Sequence, residues 1–141
     1  MHTPDDSRRY VEECITDGGA VPRLHYELAI VRREDRGVIG RTGMKLDADR
    51  RQAMLWYALH RSCWRKGYAL EAARSMLSLG FDDLALHRIY ADIDPRNTAS
   101  GRLCERLGMR REAHFRENVF LKDEWCDTVI YALVRTEWPV T

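Results

Sequence analysis

The sequence predicts an α+β domain: a central mixed, mostly antiparallel, twisted sheet flanked by helices. Three observations carry this. Apolar and polar residues alternate in short runs, clearest at Leu24, Tyr26, Leu28 and Ile30, at Ile89, Ala91 and Ile93, and at Val129, Tyr131 and Leu133. That is the period of half-buried strands. Residues 66–82 and 97–108 instead repeat apolar residues about one helical turn apart. Finally, the strand-like runs 24–32, 38–46 and 54–59 follow one another across short polar turns, which makes a meander. A helix separates 54–59 from 88–93, so those two strands lie parallel, as in a βαβ unit.

Taken in order, Thr3-Pro4-Asp5-Asp6 has the makings of a helix start, with a capping hydroxyl, a proline at the first position and two acids at the positive end of the dipole. A helix is expected to run to about Asp17, where Gly18-Gly19 ends it. The strand over 24–32 turns at 34–37. The next, over 38–46, is weakened by Gly40 and Gly43, and a polar turn at 47–50 leads to the strand ending at Leu59. The 66–82 helix leads to the strand over 88–93, which Asp94-Pro95 stops. Asn97 can then cap a helix carrying Leu103 and Leu107 and closed by Gly108. A long hairpin finishes the fold, with arms near 112–120 and 125–135 joined by Lys122-Asp123-Glu124. Trp56, Trp125 and Trp138 are expected to be core and sheet-packing aromatics.

At 141 residues the chain, 1–141, is one ordinary domain. Its 23 Lys+Arg and 22 Asp+Glu nearly cancel, so it lacks the basic footprint of a protein that binds nucleic acid directly, and any anion recognition must be local. Cys14, Cys63, Cys104 and Cys126 are too scattered for metal-ligand spacing and are expected to be reduced thiols; no metal site is expected. No apolar run approaches the ~20 residues of a membrane span, and the polar, acidic start has no signal-peptide pattern. A cytoplasmic protein without a membrane partner is expected.

The most telling stretch is Trp64-Arg65-Lys66-Gly67-Tyr68-Ala69, between a strand and a helix. The first amides of a helix have no intrahelical partner and sit at the positive end of its dipole, so phosphate oxygens can satisfy them. Gly67 and Ala69 permit close approach to the backbone, while Arg61, Arg65 and Lys66 add charge. A P-loop fits badly, because Arg65-Lys66-Gly67 lacks the Gly-x-x-x-x-Gly-Lys-Ser/Thr spacing.

This turn resembles the acetyl-CoA signature Gln/Arg-x-x-Gly-x-Gly/Ala of the GCN5-related N-acetyltransferases (GNATs), with Trp64 in the first position. The block from Asn97 through Ser100 and Cys104 to Leu107-Gly108-Met109 resembles the Asn-x-x-Ser helix of the RimJ/RimL-like branch. Glu117 to Asp127, followed by Tyr131-Ala132-Leu133, is similar to its closing hairpin. The resemblance implies a GNAT-like sheet and acetyl-CoA as co-substrate. It also implies acetyl transfer to an amine, either a protein N-terminus or a small molecule, by direct attack on the thioester. The pantetheine arm would lie against the backbone of Tyr57, Ala58 and Leu59, and the pyrophosphate against Arg61, Trp64, Arg65, Lys66, Gly67, Tyr68 and Ala69. Asn97 would touch the CoA chain. Many members carry a catalytic Tyr where Cys104 stands; here Ser100 is the expected partner of the CoA sulfur, and Cys104 an apolar filler.

The branch often has a Glu base on the strand before the cradle, where this chain has Met54. Glu117, His114 and Tyr131 are base candidates by location alone, and water could carry the proton instead. The strand and helix that open family members are absent from this sequence, so the domain is expected to be N-terminally shortened, with its 24–32 strand an unpaired edge. A homo-oligomer formed through that edge is expected. The competing function is a catalytically impaired CoA-binding or protein-interaction module, favoured by Met54, Cys104 and the missing opening.

Overall fold

A computed structural model of the protein describes residues 9–13 and 24–139. Strands β1 (Arg9–Glu13), β2 (His25–Arg32), β3 (Val38–Leu46), β4 (Gln52–Leu59), β5 (Arg88–Ile93), β6 (Arg110–Leu121) and β7 (Glu124–Val134) form one seven-stranded sheet in the order β1, β2, β3, β4, β5, β7, β6. Helix α1 (Tyr68–Ser78) joins β4 to β5, and α2 (Thr98–Arg106) follows β5. Only β4 and β5 run parallel; every other neighbouring pair is antiparallel. The expected α+β class, meander and βαβ connection are all present.

Both helices contribute to one apolar cluster on the sheet. Ala73, Met76, Leu77 and Phe81 meet Met44, Leu55 and Ile89, and Cys104 and Leu107 join Val129, Tyr131 and Leu133. Burying such side chains is the main favourable term holding the helices on the sheet, about 25 cal/mol per Å² of apolar surface removed from water. Gly43 sits where β3 passes under Trp56: a Cβ there would come within 2.6 Å of the indole ring and of the Tyr26 carbonyl.

The N-terminal expectation fails where the structure can test it. Thr3 and the residues around it lie outside the described residues, but Arg9–Glu13 is a strand rather than part of a 3–17 helix, paired antiparallel with β2 from Arg9↔Arg32 to Glu13↔Leu28. Tyr10 and Val11 favour extended backbone, and the open edge of β2 offers partners for a row of backbone groups. β2 is therefore covered within the chain, and the homo-oligomer expected through its free edge loses its basis.

Smaller departures follow from local chemistry. The 66–82 helix begins at Tyr68 and ends as α-helix at Ser78, continuing as a wider π turn over Leu79–Asp83. The hairpin turns on Lys122 and Asp123, both at positive φ, the conformation that matches strand twist in two-residue turns. Trp125 is not a packing aromatic: it is 59% exposed, edge-on to Phe120 at 5.3 Å. Trp138 does pack, stacked on Phe81 at 5.8 Å with its indole N–H donating to Asp82. Cys63, Cys104 and Cys126 are buried free thiols, and Cys14 lies outside the described residues. Among the described residues, no helix is long and apolar enough to cross a membrane.

Candidate functional site

The parallel pair is short. β4 and β5 are in register only from Gln52↔Arg88 to Met54↔Tyr90, after which β5 stays with β7 and β4 stays with β3. The C-terminal half of β4 therefore has a strand on one side only. Backbone groups alternate sides along a strand. Gln52 O and the His60 amide bond toward β3, and Arg51 O receives His87 N on the β5 side. The Tyr57 and Leu59 backbones therefore face the opening between the parted strands. The Ala58 backbone faces β3, which corrects its expected place in the site: Ala58 O lies against Gly40.

At the mouth of this opening the chain makes a 3₁₀ turn, Arg61–Cys63, before α1. Arg65 has φ 64° and Gly67, the N-cap of α1, has φ 80°. The left-handed conformation at Gly67 is where a side chain would be strained, and a Cβ there would meet nothing within 4 Å. Glu71 N closes the first helical bond to Gly67 O at 3.1 Å, so the amides of Tyr68, Ala69 and Leu70 precede the intrahelical ladder. A cavity of about 450 Å³ extends from Gly67 along Leu70, Arg74 and Ser75. Arg61, Arg65 and Lys66 are exposed around the turn, whereas the Tyr68 ring is core. Trp64 bends back: its indole N–H donates to Leu59 O at 2.9 Å, and the Arg61 guanidinium lies 5.3 Å from its ring centroid.

The opposite wall is α2. Asn97 caps it, its Oδ1 accepting the Ser100 amide at 3.1 Å. Ser100 Oγ is 3.1 Å from the Tyr57 hydroxyl, so a hydrogen bond joins β4 to α2 over the opening. One turn further, Cys104 is buried, and burial, with a smaller contribution from Glu105, pushes its thiol up to about 12. It is a neutral filler at ordinary pH. Met54, out of step with the core residues Ala53 and Leu55, sits on the sheet face away from the helices, between Trp56 under Arg41 and Tyr90 under Arg88.

The hydrogen bonds of Glu117 and His114 run along the hairpin instead of toward the opening. Between Phe115↔Thr128 and Val119↔Cys126, β6 carries extra residues, and the Asp127 carboxylate accepts the Glu117 amide at 2.8 Å where the ladder breaks. His114 Nε2 bonds Asp127 at 2.8 Å, and its Nδ1 faces Arg111 at 2.9 Å. A guanidinium only donates, so Nδ1 accepts and Nε2 carries the proton. Tyr131 is buried beside Gly101. Among the described residues, no cluster of His, Cys, Asp or Glu could hold a metal.

Two features escaped sequence reasoning. The Tyr57 side chain was expected to matter only through its backbone, although period-2 alternation from Ala53 and Leu55 places it on the helix-bearing face. Arg96 was missed altogether. It holds Asp94 at 2.7 Å, Glu124 of the hairpin, and the Cys126 sulfur at 3.3 Å, fastening the β5–α2 loop; the acid-Pro-base order Asp94-Pro95-Arg96 was the available signal.

The acetyltransferase (GNAT) domain family matches residues 1–110. The chain is 44% identical over 73 residues to the uncharacterized N-acetyltransferase YnaD of Bacillus subtilis, which covers 52% of this chain and 43% of that protein. Identity to the ribosomal protein uS5-alanine N-acetyltransferase of Escherichia coli is 30% over 84 residues, covering 60% of this chain and 43% of that one. Both curated relatives are thus spanned for less than half their length. A solved acetyltransferase of the GNAT family from Bacillus anthracis shares the fold with a TM-score of 0.75 at 31% identity, over 79% of this chain and 67% of that one. With the parted parallel strands, the glycine-headed helix and a family match over most of its length, the chain belongs to the GNAT acetyltransferase family.

Proposed function

We propose that this chain is a RimJ/RimL-like N-acetyltransferase of the cytoplasm, moving acetyl from acetyl-CoA to an amine by direct attack on the thioester. The observation that carries the reading is the opening between β4 and β5, which leads straight to the Gly67 N-cap of α1. Tyr57 and Leu59 would bind the pantetheine arm through their backbones. The amides of Tyr68 and Ala69, with Arg61, Arg65, Lys66 and Gly67, would take the pyrophosphate. Trp64 supports the turn by holding Leu59 O and Arg61, and Asn97 orients the start of α2. Acetyl-CoA fits this chain because Gly67 leaves open space where another residue would place a Cβ, and bound there it supplies an activated acyl group with a thiolate leaving group.

Ser100 would donate its proton to the departing sulfur, while positioning and a strand N–H supply most of the acceleration. Water carries the amine proton away. A protein N-terminus is the first acceptor class to try, since a relative is named for alanine acetylation of a ribosomal protein. The test is calorimetric titration with acetyl-CoA, followed by turnover with peptide and polyamine acceptors. Binding lost in Gly67→Glu supports the site, and absence of any heat or thermal stabilisation with wild type rejects it. Met54, apolar where the branch often has a Glu, favours a second reading, a CoA-binding module without catalysis. Binding without turnover on any amine would select it.

A further inference from the structure

We infer that the Tyr57 hydroxyl is the positioning and proton-resupplying partner of Ser100, an inference resting on the acetyltransferase reading above. The two residues lie 43 positions apart, on β4 and α2, yet their oxygens meet at 3.1 Å. Each comes from a fixed element. Tyr57 continues the inward series of Ala53 and Leu55, and Ser100 belongs to the first turn of a helix whose cap, Asn97, holds the Ser100 amide.

A serine in a helix can turn its hydroxyl proton back onto a carbonyl three or four residues earlier, which for Ser100, in the first turn, leaves the N-cap carbonyl of Asn97, already accepting the Gly101 amide at 3.2 Å. A phenol O–H donated into Ser100 Oγ competes with that arrangement and leaves the serine proton to point elsewhere, toward the opening between the strands. The residue one turn on cannot take over. Cys104 is buried and faces the core, where it packs with Leu107 and Tyr131.

The step balances. The amine nitrogen bonds to the thioester carbonyl carbon and the C–S bond breaks with its electron pair on sulfur. Ser100 gives its proton to that sulfur and takes the proton of Tyr57; the tyrosinate is reprotonated from water, which has received the proton lost by the amine. A phenol is a stronger acid than an aliphatic alcohol, so Tyr57 makes Ser100 a better donor than a lone serine.

The test needs no acceptor. Free CoA is bound to the full chain, and its thiol is titrated by thiolate absorbance in difference against the same protein without CoA, for wild type, Tyr57→Phe, Ser100→Ala and the double variant. A hydroxyl donating to sulfur favours the thiolate. The bound thiol should therefore titrate lower in wild type, by about one pH unit or more relative to Tyr57→Phe. Ser100→Ala should match Tyr57→Phe, and the double variant should add nothing to either single change, as for one coupled unit. If CoA binds and Ser100→Ala shifts the titration while Tyr57→Phe does not, the Tyr57 role is overturned and the acetyltransferase reading stands. Additive shifts overturn it equally. If wild type binds no CoA, the underlying reading falls and takes this inference with it. Tyr57→Phe keeps the ring, and unchanged thermal unfolding confirms that the fold is intact.

Discussion

The Trp64 indole N–H donates to the carbonyl of Leu59, the last residue of β4, at 2.9 Å. Trp64 stands where many GNATs carry Gln or Arg, and here its polar edge is spent on the strand end while its ring carries Arg61. The departure from the signature is thus a device that fastens the turn to the open side of β4.

Trp64→Phe should lose the hydrogen bond and keep most of the ring contact, costing about 1 kcal/mol in urea unfolding. If the turn binds phosphate, CoA affinity should fall several-fold more than stability accounts for, because the turn loses its tie to the end of β4. Equal affinity in calorimetry would show that the Trp64 contact serves the fold alone.

Gly67 and Gly43 separate two uses of glycine. At Gly67 a Cβ finds open space, so Gly67→Ala should cost only the left-handed backbone penalty, about 1–2 kcal/mol. Gly67→Asn should recover part of it, since Asn tolerates that conformation. At Gly43 the Cβ would press on the Trp56 ring and on backbone at 2.6 Å. Gly43→Ala must move a strand and should cost more than the Gly67 change, roughly 2–3 kcal/mol. Urea midpoints at unchanged slope give the order, and a cheaper Gly43→Ala would refute it.

Much of this arrangement was legible in the chain, for identifiable reasons. β2 and β5 show themselves because one face is buried and alternation follows. α2 shows itself because Asn97 and Gly108 punctuate it. β1 was hidden: five residues cannot display a period convincingly, and the cap-like Thr3-Pro4-Asp5-Asp6 just before them argued for a helix. The Tyr57–Ser100 and Arg96–Glu124 pairs join elements distant in sequence. Nothing local specifies such partners; only the packing of α2 and the hairpin against β5 brings them together.

The Arg96 latch makes a pH prediction. The hydrogen bonds from Arg96 hold the Asp94 carboxyl down to about 2 from its ordinary 3.8. A carboxyl whose value is depressed in the folded state contributes stability above its unfolded value and loses it as pH falls toward the folded one. Asp94→Asn should therefore destabilise the protein at pH 6, and the difference from wild type should shrink between about pH 4 and pH 2. A gap that stays constant through that window, measured by denaturant midpoints, would mean that the charge of Asp94 does not hold the loop.

Cys104 tests whether the α2 face is packed or available for chemistry. Its thiol, raised to about 12 by burial, carries almost no thiolate at pH 8, and reagents such as iodoacetamide attack the thiolate. Alkylation of the native protein at pH 8, mapped by mass spectrometry, should leave Cys104 unmodified until the chain is unfolded. The Tyr of the family pattern at this position should not be recoverable by simple substitution. Cys104→Tyr forces a large ring among Leu107, Val129 and Tyr131 and should cost about 1–3 kcal/mol or more, whereas Cys104→Ala removes one atom and should cost about 1 kcal/mol. A stable Cys104→Tyr protein would show that α2 can shift outward, and would place a second hydroxyl beside Ser100 against which the Tyr57 contribution could be compared directly.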